Sequence, residues 1–243
     1  MPLPLNLAMT PSEIKQCPSL PAPPAWMSCH FSEDNQGLTD LPEELPEGCL
    51  LILDDRIPCN GHSAPLAAAI LREVIAQFHC CALLLDFQRP ANIETAAMVE
   101  ALIRALPYPV AAPPEYAKNY PCPVFLPPAP LHIPLEKYLR PWHGREVWLE
   151  VALCQERITV SKNGATVEQI FAAAPYCGFF DETLCCRYVS NIQADRITFT
   201  LFETYETLES KLELADSLGV TRAVGLYQEL GKYFIAKYKP PVE

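Results

Sequence analysis

Short apolar runs alternate with longer amphipathic segments along most of the chain. The runs have the length of buried strands, and several of the segments between them repeat their apolar residues with the spacing of a helix. Strands that alternate with helices are typical of βαβ units, which build a parallel sheet. The predicted strands are residues 26–31, 49–54, 81–87, 110–112, 124–126, 146–153, 196–202 and 223–227.

Residues that begin or end helices mark the segments between these strands. Ser63, Asn92 and Thr204 stand where a side-chain oxygen can accept a hydrogen bond from the first turn of a helix. Pro107 and Gly219 stand where a helix would end. These signals predict helices over residues 64–78, 93–106 and 205–218, with shorter helices over 135–139 and 167–174.

The order of the elements predicts an α/β fold, namely a (β/α)8 barrel of the TIM type in a compact or reduced form. Residues 196–202 alternate apolar and polar side chains, which predicts a small β-containing excursion before the last predicted helix. We expect one barrel domain over residues 26–235, after a proline-rich arm over 1–25 and before a tail over 236–243. An open doubly wound sheet is the alternative, but no glycine-rich phosphate loop follows an early strand.

Composition restricts the function more than the fold. Of the 243 residues 50% are hydrophobic and 19% are charged, which allows a large core, and the formal charge of −11 disfavours nucleic acid as a partner. No signal peptide and no bilayer-spanning run is evident, so no membrane partner is expected. The odd number of cysteines, 11, is typical of reduced thiols and predicts a cytoplasmic protein. No cofactor is predicted, and the oligomeric state stays open.

One of the predicted strands ends abruptly in polar side chains. The apolar residues 81–85 are followed by Asp86, Phe87 and Gln88. In a (β/α)8 barrel the carboxyl ends of the strands surround the functional site, so we expect the Asp86 carboxylate and the Gln88 carboxamide at the barrel mouth. The alternative for Asp86 is a structural role, in which it caps the following turn or pairs with Arg89.

This strand resembles the fourth strand of family 18 glycoside hydrolases, the chitinase-like group, whose pattern is D-x-x-D-x-D-x-E. Asp86 matches the last Asp of that pattern, and Gln88 stands where the catalytic Glu belongs. Cys81 and Leu84 stand at the positions of the other two Asp residues.

The resemblance continues in the closing segment, residues 209–231, which is similar to the last helix and strand of the family. Tyr227 stands there in place of a Trp. The likeness covers residues 48–231 and is greatest to the spore-germination and cortex-lysis branch. Phe125 to Pro128 occupy the place of the family's Met-Tyr-Asp-like motif.

The resemblance implies a sugar-hydrolase barrel without its usual chemistry. In the family the Glu protonates the glycosidic oxygen, and the preceding Asp orients the substrate acetamido group, which acts as the nucleophile. The carboxamide of Gln88 has no proton to donate near neutral pH. We therefore expect a non-catalytic or very weakly active binder of N-acetylglucosamine-type glycan, with Asp86 and Gln88 hydrogen-bonded to the sugar and Tyr227 stacked on it.

Two other functions stay open. An active glycan hydrolase could use a rearranged carboxylate pair, since two carboxyl groups about 5–9 Å apart are the usual catalytic arrangement in glycoside hydrolysis. The candidates are Asp86, Asp54, Asp55 and Glu150. The structural alternative for Asp54 and Asp55 is a turn held by a salt bridge to Arg56. A third possibility is a structural or interaction platform that uses the barrel as a scaffold.

Glu150 is a candidate because it interrupts an apolar strand. By alternation it shares a face with Trp148, which is either the barrel lumen or the side that faces the helices. A buried carboxylate needs a partner, so Glu150 and Trp148 are candidates for ligand binding. Glu203 and Glu229 follow later strands and are weaker candidates. Further aromatic residues that could stack on a sugar are Tyr116, Tyr120, Trp142 and His143.

No metal site is predicted. Cys59-x2-His62 and the run from His79 to Cys81 offer ligands, but structural zinc normally needs two pairs of closely spaced ligands and the second pair is not evident. A Cys-His nucleophile is equally unconstrained by the sequence. Most cysteines are expected to fill the core.

Overall fold

The structure is a computed structural model that describes residues 3–17, 20, 22–34, 37–58, 64–171 and 177–238, with side chains described as far as residue 235. The strands in these residues are β1 Leu5–Met9, β2 Ala25–Phe31, β3 Leu38–Thr39, β4 Leu50–Asp54, β5 Ala82–Asp86, β6 Val110–Ala111, β7 Val124–Leu126, β8 Val147–Val151, β9 Gln155–Ser161, β10 Gly164–Gln169, β11 Phe179–Asp181, β12 Cys186–Ile192, β13 Arg196–Phe202 and β14 Val220–Leu226. The α-helices are α1 Pro11–Gln16, α2 Ala64–Gln77, α3 Ile93–Ala105, α4 Pro114–Ala117, α5 Leu135–Leu139, α6 Tyr205–Ser217 and α7 Tyr227–Tyr238.

Eight parallel strands form the barrel in the order β1-β2-β4-β5-β6-β7-β8-β14, and β14 pairs with β1. Between β6 and β7 the pairing is limited to one parallel bridge, between Ala112 and Val124. Two backbone hydrogen bonds support it, from Ala112 N to Pro123 O at 3.1 Å and from Phe125 N to Ala112 O at 2.8 Å. The predicted TIM-type barrel is therefore confirmed, and β5 is its fourth strand.

The first strand of the ring was not predicted. Leu5–Met9 pairs with both β14 and β2, and four of its five residues are buried. The prediction of a proline-rich arm over residues 1–25 is therefore wrong for this segment. The strand was missed because prolines flank a short apolar run and Asn6 interrupts that run. The buried Asn6 side chain is satisfied, since Nδ2 donates to Pro23 O at 2.7 Å and Oδ1 accepts from Arg222 at 2.9 Å.

Two predicted helices follow the expected capping chemistry. The side chain of Asn92 accepts from Thr95 N before α3, and Thr204 forms a capping box with Thr207 before α6. The helix predicted over residues 64–78 is also present, although Ser63 lies outside the described residues. The apolar faces of α2 and α3 pack on the outside of the barrel, where alternate strand residues meet them.

One predicted helix is wrong and one helix was missed. Of the segment predicted as a helix over residues 167–174, residues 167–169 belong to strand β10, which begins at Gly164, and residues 172–174 lie outside the described part of the chain. Conversely, α7 begins at Tyr227, where the sequence predicted the end of a strand. Tyr227, Leu230 and Phe234 are three to four residues apart and therefore lie on one face of α7. Leu230 and Phe234 are buried, so this face points inward.

The predicted excursion is a five-stranded antiparallel sheet in the order β10-β9-β13-β12-β11, inserted between β8 and α6. Its last strand is joined to α6 by a buried ion pair between Glu203 and Lys211, and Glu203 also accepts from Cys154 N at 2.9 Å. The proline-rich loop after β7 is bonded to β9 of this sheet. His132 N donates to Glu156 Oε2 at 3.1 Å, and His132 Nδ1 lies 2.6 Å from the same oxygen.

Alternate residues of the barrel strands fill the lumen. The cluster is made of small and branched side chains with two large aromatic ones, and comprises Ala8, Ala25, Leu50, Ile52, Ala82, Leu84, Ala111, Phe125, Trp148 and Val224. A filled lumen leaves the carboxyl ends of the strands as the rim on which polar groups gather.

Candidate functional site

The ends of β4 and β5 bring three carboxylates to one side of the barrel mouth. Asp54 and Asp86 are paired across the two strands, and Asp55 follows directly. A cleft of about 460 Å³ opens at this point. Its lining combines acidic, basic and apolar residues of three neighbouring strands: Met27, Ser28, Ile52, Asp54, Asp55, Arg56, Asp86, Gln88 and Arg89.

Asp86 and Gln88 form a hydrogen-bonded pair within this cleft. Gln88 Nε2 donates to Asp86 Oδ1 at 2.5 Å, and the Gln88 residue is exposed while Asp86 is half-buried. Burial raises the pKa of Asp86, the hydrogen bond from Gln88 opposes that rise, and the nearby Asp54 and Asp55 add to it. The pairing of Asp86 with Arg89 that the sequence left open is not what the structure shows.

Asp54 forms the salt-bridged turn that was its structural alternative. Its Oδ1 accepts from Arg56 N at 2.9 Å, and its Oδ2 lies 3.3 Å from the Arg56 guanidinium. The Arg56 side chain is 60% exposed, so water competes for this pair and we expect it to contribute little to stability.

Asp55 is buried and bound to the neighbouring loop. Its Oδ1 accepts from Gln88 N at 3.0 Å and its Oδ2 from Arg89 N at 2.8 Å. In return, Arg89 Nε donates to Asp55 O and its guanidinium donates to Arg56 O, both at 2.8 Å. We call these four bonds the loop clasp. They occupy both carboxylate oxygens of Asp55, which argues against the catalytic role considered from the sequence.

Glu150 faces the lumen and lines a second, smaller cavity. This cavity of about 60 Å³ adjoins the cleft, because Met27, Ile52 and Asp86 line both. Burial raises the pKa of Glu150 to about 7, and the charges of Asp86 and Glu229 contribute. The sequence left the direction of this strand face open, and the structure assigns it to the lumen.

Trp148 shares that face but lies deeper in the barrel. It is 2% exposed, and its indole Nε1 donates to Glu146 Oε1 at 2.9 Å. The Arg222 guanidinium lies 4.8 Å from the centre of its ring. Trp148 lines neither the cleft nor the smaller cavity among the described residues, which argues against the predicted ligand contact.

Tyr227 lines neither the cleft nor the smaller cavity among the described residues, and it packs against the hydrophobic cluster between the barrel and its helices. Its ring lies against Gly231, where an added Cβ would come within 2.3 Å of Tyr227 Cδ2. Burial raises the pKa of Tyr227, and Cys17 and Glu13 also raise it. The preceding residue, Leu226, lines the smaller cavity instead. The sequence misassigned this position because a helix, not a strand, begins at residue 227.

The weaker candidates mostly have structural partners. Glu203 pairs with Lys211, and Glu229 accepts a hydrogen bond from Leu153 N. Tyr116 is buried, and Tyr120 donates to Glu100 at 3.1 Å. Trp142 and His143 line a separate cavity of about 270 Å³ near the amino ends of β8 and β14, at the opposite end of the barrel.

Met27 and Ser28 are cleft residues that the sequence did not identify. Ser28 has a φ of 77°, and the pairing of β2 with β4 shifts register between Trp26 and Cys29. This bulge turns the β2 backbone at the rim, although β2 continues to Phe31. No simple sequence signal marks it, since Ser28 is neither glycine nor asparagine.

Within the described residues, no group of three or more His, Cys, Asp or Glu side chains could hold a metal ion. Cys59 and His62 lie outside these residues. No helix in the described part of the chain is both long and apolar enough to cross a bilayer.

No protein-family model matches the chain, and no curated protein matches it either. Solved structures do. The spore cortex-lytic enzyme SleL of Bacillus megaterium QM B1551 is 13% identical with a TM-score of 0.56, over 92% of this chain and 70% of that one. SleL of Bacillus cereus is 10% identical with a TM-score of 0.52, over the same shares.

The chitinase ChiW of Paenibacillus sp. str. FPU-7 is also similar, with 10% identity and a TM-score of 0.56 over 97% of this chain and 42% of that one. At such identities the likeness establishes the fold. The chain thus has the barrel fold of these cortex-lytic and chitinase structures, as the resemblance of its fourth strand predicted.

Proposed function

We propose that this protein binds N-acetylglucosamine-type glycan at the barrel mouth and cleaves it very weakly or not at all. The observation that carries the proposal is the Gln88 carboxamide, hydrogen-bonded to Asp86 at the end of the fourth barrel strand and exposed in a cleft of about 460 Å³. An open cleft is also the reason to prefer binding over a purely structural platform.

The chemistry of this pair suits sugar recognition. One Gln88 N–H is committed to Asp86, which leaves the second N–H and the amide oxygen to bond with hydroxyl or acetamido groups. Asp86 retains a second carboxylate oxygen as an acceptor. A carboxamide has no acidic proton near neutral pH, and general acid–base catalysis typically contributes about 10²- to 10⁴-fold.

The named functions of the similar structures support the choice of ligand. Two are described as spore cortex-lytic enzymes and one as a chitinase. Chitin is a polymer of N-acetylglucosamine, so a barrel of the same fold with a polar cleft at its mouth is a reasonable receptor for that class of sugar.

The test compares wild type with Gln88→Glu. Binding of N-acetylglucosamine oligomers is measured by calorimetry, and cleavage by chromatography of the products. We expect wild type to bind without turnover and Gln88→Glu to gain measurable cleavage. Gln77→Glu, an exposed residue of α2, is the matched control and should behave as wild type. Absence of binding by wild type to every oligomer would refute the proposal.

A second candidate function is supported by one observation. Asp86 and Glu150 line the same small cavity, and burial raises the pKa of Glu150 to about 7, which suits a general acid near neutral pH. If this pair is catalytic, the wild-type protein itself would cleave glycan. Its activity would fall as the pH rises above about 7 and would be lost in Glu150→Gln, whereas Gln88→Glu would not be required.

A further inference from the structure

We propose that Asp55 is a positioning residue: through the loop clasp it holds the Gln88 carboxamide in the orientation that recognises the ligand. The proposal rests on the proposed glycan binding at the cleft. The role proposed for Asp55 is indirect, because Asp55 would determine where the neighbouring Gln88 stands.

The clasp joins two rim loops in both directions. Asp55, after β4, accepts from the backbone N–H groups of Gln88 and Arg89 at 3.0 and 2.8 Å. Arg89, after β5, donates to the backbone carbonyls of Asp55 and Arg56, both at 2.8 Å. Each loop thus uses one charged side chain to fix the other loop's backbone, and the backbone held by Asp55 is the one that bears Gln88.

Burial makes this arrangement specific to a carboxylate. Asp55 is 5% exposed, so water cannot readily replace a lost bond. Each of its two oxygens receives one N–H. In Asp55→Asn one oxygen becomes an NH2 group, which would face a backbone N–H without an acceptor between them. Gln88 or Arg89 would then lose its partner, although the side chain keeps its size.

The neighbouring carboxylate shows why Asp55 and not Asp54 has this role. Asp54 bonds within its own turn, to Arg56, and its pair is exposed. A change at Asp54 would alter the charge in the cleft while it leaves the clasp intact.

The ligand-independent test uses the side-chain amide of Gln88 as a reporter. Its NMR signal is assigned by its disappearance in Gln88→Ala. In wild type we expect an ordered amide with dispersed proton shifts, and in Asp55→Asn a shift towards the values of a mobile amide. Asp181→Ala is the matched control, because Asp181 also accepts two backbone N–H groups, from Thr183 and Leu184, but in the excursion. It should leave the Gln88 signal unchanged.

The second arm is a double-mutant cycle on affinity for N-acetylglucosamine oligomers. Asp55→Asn should weaken binding about tenfold when Gln88 is present, the effect of one hydrogen bond. In the Gln88→Ala background it should change affinity less than about twofold, because Asp55 would act through Gln88 alone. A purely structural role would weaken binding equally in both backgrounds, and unfolding curves recorded for every variant establish that each is folded.

The two proposals fail in different ways. If wild type binds no oligomer, glycan recognition is refuted, and the clasp is still judged by the Gln88 amide signal. If that signal is the same in wild type and Asp55→Asn, the positioning role is overturned whatever the affinities are. If Asp55→Asn does not fold, Arg89→Lys replaces it in both experiments. This variant loses the paired hydrogen bonds that the Arg89 guanidinium donates to the carbonyls of Asp55 and Arg56.

Discussion

Asp86 and Glu150 line one small cavity although they lie on the fourth and seventh strands of the ring. Both carboxyl groups are half-buried; burial raises the pKa of each, and the charge of Asp86 adds to the rise at Glu150. Two such groups resist being ionised together, because the second charge must form in a partly desolvated site beside the first. We therefore expect Glu150 to be partly protonated near neutral pH.

Replacing Glu150 by Gln should stabilise the protein at pH 8. The pKa of Glu150 is raised from 4.5 to about 7, so the folded state binds the proton more tightly than the unfolded state does. Stability from this group is therefore lost as the pH rises from about 4.5 to about 7, and the ionised group remains unfavourable above that range. Glu150→Gln removes this penalty, of about 1–3 kcal/mol.

The measurement is urea unfolding of wild type and Glu150→Gln at several pH values. We expect the gain at pH 8 to shrink towards pH 5, and Glu213→Gln, an exposed residue of α6, to follow the wild-type curve. A Glu150→Gln protein that is less stable than wild type at pH 8 would mean that the ionised carboxylate is favourably bound.

The ion pair between Glu203 and Lys211 should be costly to break from one side only. The residues are 4% and 5% exposed, so loss of one partner leaves a buried charge. We expect Lys211→Met to destabilise by about 3–5 kcal/mol. The double variant Lys211→Met, Glu203→Gln should recover part of this lost stability, because it leaves no unpaired buried charge and the Gln can still accept a hydrogen bond from Cys154 N. Thermal unfolding of wild type, Lys211→Met and the double variant measures these differences in stability. A double variant no more stable than Lys211→Met would contradict this account.

Trp148→Phe should reduce stability and leave glycan affinity unchanged. The substitution removes the hydrogen bond to Glu146 and reduces the contact with Arg222 at a buried position of the lumen, at a cost of about 2–4 kcal/mol. Chemical unfolding gives the first quantity and calorimetry the second. Leu226→Ala is the contrasting variant, because Leu226 is 42% exposed and lines the cavity. Equal losses of affinity in both would show that Trp148 does reach the ligand.

The sequence predicted those parts of the fold whose local signals are strong. The barrel class, the fourth strand and the capped helices α3 and α6 follow from apolar runs and from Asn92 and Thr204. It failed where tertiary pairing decides. Leu5–Met9 becomes a strand because β14 and β2 lie on either side of it, and no local pattern records that.

The site was predicted in the same uneven way. The rule that strand ends face the mouth of a barrel gave the expected positions of Asp86 and Gln88, whereas alternation alone left two possible faces for Glu150. The roles of Asp55 and Tyr227 depend on which side chains meet across loops and on whether residue 227 begins a helix. Both are long-range facts that spacing along the chain does not contain.

The pairing of β1 with β14 also bears on how the molecule is made. Leu5 is aligned with Ala223, and the Arg222 guanidinium bonds to Asn6, at a separation of 216 residues. During synthesis β1 therefore cannot pair with β14 until residues 220–226 have left the ribosome, more than 200 residues after β1 itself. We expect ring closure to be a late and slow event, and nascent chains to depend on chaperones until then.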